Sequence, residues 1–183
     1  MVADVAQGLY PRGFRPPAAD DGWVRCELVN NCRNTLQIAT LLHQHLGGAP
    51  SPHGGGPEST SVSWVEANDL DQMIELVGEE IDRIVDYEGH APPRVLVATF
   101  SSETRDALRH ALALVPWESG DSTAIICENV HRVKGLEFDY VVLAAHDNEM
   151  SDALLYVGVS RAVSGLTVIG PTALAARLGL ATT

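Results

Sequence analysis

The chain lacks the features that would place it in a membrane or in an oxidising compartment. No apolar run approaches the roughly 20 residues that span a bilayer, and no secretory signal pattern is present. Its three cysteines, Cys26, Cys32 and Cys127, are odd in number and lack C-x-x-C spacing. Neither a disulfide framework nor a zinc cluster is therefore predicted, and we expect a cytoplasmic protein with reduced thiols.

Positive charge is also scarce. Lys and Arg total 12 against 24 Asp and Glu, so the formal net charge is −12. Because neutralisation of phosphates by Lys and Arg drives nucleic-acid affinity, we expect the chain to bind nucleic acid only weakly by itself. Its 183 residues suffice for one well-cored domain. We expect a monomer that binds no membrane.

The motifs that grip nucleotide phosphates are missing as well. No G-x-x-x-x-G-K-[ST] loop occurs, and the run 54–56 of three glycines is not followed by the required lysine. No Asp-Glu pair follows an apolar strand to hold magnesium, so this chain alone cannot grip and activate nucleotide phosphates. His43 and His45 diverge on a predicted helix and cannot share a metal, and no metal site is predicted.

What the sequence does contain is an alternation of strand and helix patterns. Strands are predicted at residues 24–30, 61–66, 94–99, 123–127, 140–145 and 166–169. Helices are predicted at residues 34–46, 69–87, 102–114 and 151–161, with Asn34 or Thr35 capping the first and Pro171 opening a last one. The Gly-, Pro- and Ser-rich residues 47–57 are predicted to form a loop. This alternation predicts an α/β domain of RecA-like type, with three layers and a mainly parallel sheet flanked by helices.

Two runs in the second half of the chain carry the chemistry. Residues 128–143 (ENVHRVKGLEFDYVVL) read as a polar loop that delivers Glu137 onto a buried strand. Residues 154–162 (LLYVGVSRA) read as an apolar helix that projects Arg161 from its end. A carboxylate suits a ribose hydroxyl, and a planar, permanently charged guanidinium suits a transferring phosphate. Ligands of open α/β sheets gather in crevices at strand ends, where Glu137 is expected.

Each of the two residues also has an ordinary structural interpretation. In isolation, an acid at the start of a strand is usually a solvated charge. An arginine near the end of a helix usually serves the helix dipole or a surface ion pair. The strings that surround Glu137 and Arg161 favour the functional interpretation.

Both runs, in this order, resemble motifs V and VI of superfamily 1 (UvrD/Rep-type) DNA helicases. The resemblance implies that Glu137 contacts the nucleotide ribose and that Gly135 brings the backbone close to a phosphate. It implies that Arg161 acts as an arginine finger on the γ-phosphate, a role that contributes about 10³–10⁵ in rate in related NTPases. His131 and Lys134 would face DNA.

Two weaker matches lie upstream. Residues 28–35 (LVNNCRNT) are similar to motif IV, which implies that Arg33 is a second phosphate-contacting arginine. Cys32 stands where the family commonly has an aromatic residue that stacks on the base, and Asn129 stands where motif V commonly has threonine. Residues 3–10 (ADVAQGLY) look like motif III, which implies that Gln7 senses the γ-phosphate.

The resemblance covers nearly the whole chain and implies a C-terminal RecA-like (2A) domain at residues 22–183. Residues 1–21 would be a motif III-like leader from the end of domain 1A. In the complete enzyme, which resembles helicases of DNA repair, the ligand would be ATP with Mg²⁺. Magnesium ligands would come from a P-loop domain 1A, single-stranded DNA would be the second partner, and the isolated chain would be inactive.

A different class of function stays open. The chain could be a non-catalytic RecA-like module that senses nucleotide or binds a protein, and the acidic balance and Cys32 favour this alternative. Intact Arg161 and Glu137 favour the motor domain, because a pure scaffold needs neither.

Overall fold

The computed structural model describes Gly22, residues 33–47 and residues 62–180. Within these ranges the strands are β1 (Val62–Glu66), β2 (Val95–Thr99), β3 (Ile126–Asn129), β4 (Phe138–Ala144) and β5 (Ala162–Gly170). The helices are α1 (Leu36–His45), α2 (Leu70–Asp82), α3 (Ser102–Leu112), α4 (Asp152–Val159) and α5 (Thr172–Arg177). The expected strand 24–30, the leader 1–21 with Gln7, Cys32 and most of the expected loop 47–57 lie outside the described residues.

The five strands form one sheet in the order β1-β5-β4-β2-β3. Every neighbouring pair runs parallel, which confirms the predicted parallel sheet. The chain passes from β4 through α4 into the adjacent strand β5, whereas the segment between β3 and β4 crosses over β2. This crossing segment, residues 131–137, contains most of the residues singled out in the sequence and is called the 131–137 loop below.

Helices cover both faces of the sheet, as the alternating pattern predicts. Side chains of α1, α4 and α5 pack on one face, and side chains of α2 and α3 pack on the other. Successive residues of β4 alternate between these two cores, since side chains of a strand point to opposite faces. Within the described ranges, no helix is both long enough and apolar enough to cross a membrane.

Several element boundaries differ from the predicted ones for local reasons. Helix α3 stops at Leu112 because Ala113 adopts a left-handed conformation with φ of 52°. Strand β3 begins at Ile126 rather than residue 123, since Asp121 Oδ1 accepts hydrogen bonds from Thr123 N and Oγ1 and holds a turn there. Strand β5 starts at Ala162, well before the predicted 166, because pairing with β4 overrides the low strand propensity of its first residues.

The predicted helix 69–87 changes its geometry near its end. It is α-helical through Asp82 and then widens into a π-helical turn over Arg83–Tyr87. Arg83 donates two hydrogen bonds to Glu80, at 2.8 and 2.7 Å, and one to the Tyr140 hydroxyl at 2.7 Å. That hydroxyl also lies 3.0 Å from Thr167 Oγ1, and burial raises the pKa of Tyr140. The turn thus ties α2 to β4 and β5 through a satisfied polar cluster.

Candidate functional site

Strand pairing brings two of the predicted site residues to one edge of the sheet. Phe138, the first residue of β4, lies opposite Ala162, the first residue of β5. Glu137 and Arg161 immediately precede these two paired residues. Because β4 and β5 run parallel, both residues lie at the amino ends of their strands. The general expectation for ligands of open α/β sheets concerns carboxyl ends, so this candidate site uses the opposite edge.

The segment that enters α1 joins the same edge. Asn34 is buried, and its Nδ2 donates to Ala162 O at 2.5 Å, while Thr35 N donates to Val163 O at 3.0 Å. The expected side-chain cap is wrong: Thr35 occupies the N-cap position of α1 but makes no capping hydrogen bond, and Asn34 bonds to β5 instead. These contacts place Arg33 beside the start of β5.

Arg33 and Glu137 form an ion pair at this edge. Arg33 Nε lies 2.6 Å from Glu137 Oε1, and both side chains remain nearly half exposed. The structure therefore brings together the motif IV-like arginine and the motif V-like acid, which the sequence could place only on separate segments. Both charged groups remain accessible from solvent at the edge.

Arg161 has a different environment from Arg33. It follows the end of α4 and is only 1% exposed. Its Nε donates to Val157 O at 3.0 Å, its Nη1 to Leu136 O at 2.8 Å and its Nη2 to Ser160 Oγ at 2.9 Å. The guanidinium therefore binds the carbonyl end of α4 and the 131–137 loop in this conformation. Its predicted contact with a γ-phosphate stays a prediction.

Buried valines anchor the first half of the 131–137 loop, and the two residues predicted to face DNA are exposed. Val130 and Val133 are fully buried, whereas His131 and Lys134 are exposed. Gly135 has a φ of 92°, and a methyl group added there would meet no atom within 4 Å. Glycine is therefore required by the backbone conformation and not by crowding.

A buried acid near the end of β3 is not among the residues predicted from the sequence. Glu128 is 1% exposed, and its Oε1 accepts a hydrogen bond from Arg109 Nη2 at 2.7 Å. Its Oε2 lies 3.3 Å from Arg132 Nε, so the acid ties α3 and the 131–137 loop to the edge strand. The only sequence signal was an acid inside the strand-like run Ile126-Cys127-Glu128.

A second ion pair close to Glu137 was also missed. Arg94, directly before β2, donates from Nε to Asp139 Oδ2 at 3.1 Å and from Nη2 to Asp139 Oδ1 at 2.5 Å. The hydrogen bond and charge of Asp139 raise the pKa of Arg94, with a smaller contribution from the charge of Glu137. The edge therefore presents two guanidinium groups and two carboxylates in alternation. No residue pattern in the sequence predicted this contact.

The charged groups at this edge are suited to binding a ligand that carries phosphate and hydroxyl groups. Half-exposed guanidinium and carboxylate groups can bond to phosphate and ribose oxygens, respectively. In the part of the chain that the structure describes, no group of three or more His, Cys, Asp or Glu residues is placed to hold a metal ion.

A parallel sheet covered by helices on both faces, with charged groups where β4 and β5 begin, defines an α/β domain of the RecA-like class. Residues 124–169 match the family model of the UvrD-like helicase C-terminal domain. This match covers the segment that holds the motif V- and VI-like runs, and it agrees with their resemblance to UvrD-like helicases. No curated protein sequence matches the chain.

One solved structure supports the same fold. The chain is similar to the C-terminal domain of a "possible DNA helicase" from Lactobacillus plantarum WCFS1, with a TM-score of 0.62 and 21% sequence identity. That similarity covers 82% of this chain and 94% of the other. The PRRSV helicase is a second match, with a TM-score of 0.46, 14% identity and coverage of 91% of this chain and 28% of that chain.

Proposed function

We propose that this domain is the C-terminal motor domain of an ATP-dependent DNA helicase or translocase. In this proposal it supplies Arg33, Glu137 and Arg161 to an ATP site shared with a P-loop domain 1A. Two contacts carry the proposal: the pairing of Phe138 with Ala162 and the ion pair of Arg33 with Glu137. Together they bring residues from three separate segments to one edge of the sheet.

Each residue has a distinct task at that shared site. Glu137 accepts hydrogen bonds from the ribose hydroxyls, and Arg33 contacts the phosphates, since both side chains are open to solvent. Arg161 stabilises charge that develops on the transferring phosphoryl group. Domain 1A would hold Mg²⁺, which would supply positive charge to the phosphates, and Gln7 would sense the γ-phosphate.

In this proposal His131 and Lys134, which are exposed in the 131–137 loop, face single-stranded DNA. Because the chain carries a net charge of −12, most of the affinity for DNA comes from the other domains of the complete enzyme. The loop spans both ligands, with DNA-facing residues at its beginning and the ribose-binding acid at its end.

The experiment is steady-state ATP turnover by the chain alone and by a fusion to the 1A domain of a superfamily 1 helicase, with and without single-stranded DNA. We expect no turnover by the chain alone and DNA-stimulated turnover by the fusion. Arg161→Ala should then reduce kcat by about 10³ or more, while Arg105→Ala, on the remote helix α3, should leave it unchanged. Turnover by the chain alone, or full turnover after Arg161→Ala, would contradict the proposal.

The burial of Arg161 favours a second candidate function, a module that senses nucleotide or binds a protein without hydrolysis. Its guanidinium contacts carbonyl groups of its own domain. For such a module the fusion would bind ATP but would not turn it over, so the same experiment separates the two functions.

A further inference from the structure

Arg161 is bonded to the 131–137 loop through both its main chain and its side chain. Phe138 N donates to Arg161 O at 3.0 Å, and Arg161 Nη1 donates to Leu136 O at 2.8 Å. The first bond belongs to the pairing of β4 with β5 and fixes the main chain. The second depends only on the rotamer of Arg161 and on the position of residues 135–137.

The hydrogen bond to Leu136 O keeps the Arg161 guanidinium from contacting a ligand at this edge. Arg161 is 1% exposed, and Val157 O and Ser160 Oγ hold the rest of the group against the end of α4. A guanidinium bonds more strongly to a charged phosphate oxygen than to a neutral carbonyl. A phosphate could therefore displace Leu136 O, provided that the segment carrying this carbonyl moves aside.

The structure of the loop confines a movement of the Leu136 carbonyl to residues 135–137. Val130, directly before the loop, and Val133 within it are buried and hold its first half in the core. Gly135, with a φ of 92° and no atom within 4 Å of the position that a Cβ would take, separates this anchored half from Leu136 and Glu137. On the far side, the exposed ion pair of Glu137 with Arg33 holds the second half in place.

We propose that the hydrogen bond from Arg161 to Leu136 O acts as a latch, which holds Arg161 out of the nucleotide site. Its hydrogen bond to Leu136 O keeps the guanidinium buried. When a ribose hydroxyl replaces Arg33 as the partner of Glu137, residues 135–137 shift and this bond breaks. The inference rests on the proposed function and adds an order of events to it: engagement of Glu137 precedes delivery of Arg161. A nucleotide that cannot engage Glu137 leaves the arginine withheld, which makes the latch a check on the ligand before hydrolysis.

The test measures the accessibility of Arg161 in the full chain without any nucleotide. Phenylglyoxal modifies accessible guanidinium groups, and mass spectrometry gives the rate at each arginine. In the wild-type chain we expect Arg161 to react at least tenfold more slowly than Arg94, whose side chain is 53% exposed. Modification of Arg161 as fast as that of Arg94 would overturn the latch.

Two substitutions should open the latch by different routes. Gly135→Ala disfavours the positive φ without a steric clash, and Glu137→Gln removes the ion pair with Arg33. Each should raise the modification rate of Arg161 at least threefold while the far-UV circular dichroism stays that of the wild type. Should Gly135→Ala fail to fold, Glu137→Gln alone decides the matter, and wild-type protection in that variant would overturn the proposal.

Gly89→Ala is the matched control. Gly89 has a φ of 74° and no atom within 4 Å of an added methyl, so the same backbone strain is placed in a different loop. Arg161 should keep its wild-type rate, and an increase equal to that of Gly135→Ala would mean general loosening and would overturn the latch. The readout needs neither ATP nor domain 1A, so failure of the latch leaves the turnover experiment on the fusion unaffected.

Discussion

Arg33 Nε lies 2.6 Å from Oε1 of Glu137, so a residue that precedes the first described helix pairs with one that precedes the central strand β4. The contact exists because Asn34 and Thr35 bond to the start of β5, the neighbour of β4 in the sheet. The two charges neutralise one another in this structure. Under the proposed function, a nucleotide would offer Arg33 a phosphate and Glu137 a ribose hydroxyl as new partners.

The first prediction concerns the energy of this ion pair. Because both side chains are nearly half exposed, water and salt screen their attraction, and the coupling should not exceed about 1 kcal/mol. Urea unfolding of Arg33→Gln, Glu137→Gln and the double variant would give the coupling by a double-mutant cycle. We expect it to shrink further in 1 M NaCl, where the Debye length is about 3 Å. A coupling of several kcal/mol that is insensitive to salt would show that the pair acts as a buried one.

Much of the fold could be predicted from periodicity because the strands are apolar on both faces. Runs such as Val95–Thr99 are fully buried, which is the signature of a parallel sheet covered by helices. The start of β5 could not be predicted in the same way. Ser164 and Gly165 have low strand propensity and become strand only because β4 supplies their hydrogen-bond partners.

The candidate site was predictable only in its separate parts. The strings around Glu137 and Arg161 gave the residues, and strand pairing, which no local pattern encodes, brought them to one edge. The burial of Arg161 could not be predicted, since it depends on the carbonyl of Leu136 folding back over the end of α4. The buried ion pair of Glu128 could not be predicted for a similar reason, because its partner Arg109 lies on a different element.

The second prediction is that Glu128 stabilises the domain through its buried carboxylate. Glu128→Ala leaves Arg109 without its acid at the end of β3 and should lower the free energy of unfolding by about 3 kcal/mol. Glu118→Ala is the control, because Glu118 also pairs with Arg132 but lies on the surface, and it should cost less than about 1 kcal/mol. Equal losses from the two substitutions in urea unfolding would contradict the assignment.

The third prediction uses the close approach of β5 to Tyr140. A methyl group added at Gly165 would lie 2.2 Å from Tyr140 Cε2, and the ring is fixed by its hydroxyl contacts with Arg83 and Thr167. Gly165→Ala should therefore lower the free energy of unfolding by about 3 kcal/mol or more, as overpacking in a dense core does. Thermal unfolding would measure the loss.

Gly120→Ala provides the comparison for Gly165→Ala. Gly120 has a φ of 66°, but an added methyl meets nothing within 4 Å, so only backbone strain of about 1–2 kcal/mol applies. If Gly165→Ala were the milder of the two, the ring of Tyr140 would have to move freely, contrary to its hydroxyl contacts.

The fourth prediction concerns the reactivity of Cys127. The thiol is fully buried in β3, and burial raises its pKa to about 12, against an ordinary value of 9.0. Since the thiolate is the reactive form, Cys127 should resist iodoacetamide at pH 8 in the folded protein and react rapidly in urea. A Cys26→Ser, Cys32→Ser background leaves Cys127 as the sole thiol, and rapid labelling of the folded chain would contradict its burial.

The same raised pKa predicts how stability depends on pH. Below pH 9 the thiol is protonated in both the folded and the unfolded chain, so its contribution is fully present. As the pH rises from 9 towards 12, only the unfolded chain releases the proton, and the free energy of unfolding falls by up to about 1.4 kcal/mol per pH unit. Burial also raises the pKa of Tyr140, which adds a loss of the same sign at high pH.

Variants in the Cys26→Ser, Cys32→Ser background separate the contribution of Cys127 to this pH dependence from that of Tyr140. Urea unfolding between pH 8 and 10.5 should show a steeper loss for the parent than for Cys127→Ala, because alanine cannot titrate. The alanine variant should be less stable at pH 8, where the lost packing counts, and the difference should narrow as the pH rises. A difference that stays constant across this range would mean that the thiolate forms equally well in the folded chain, and Cys127 would then have access to water.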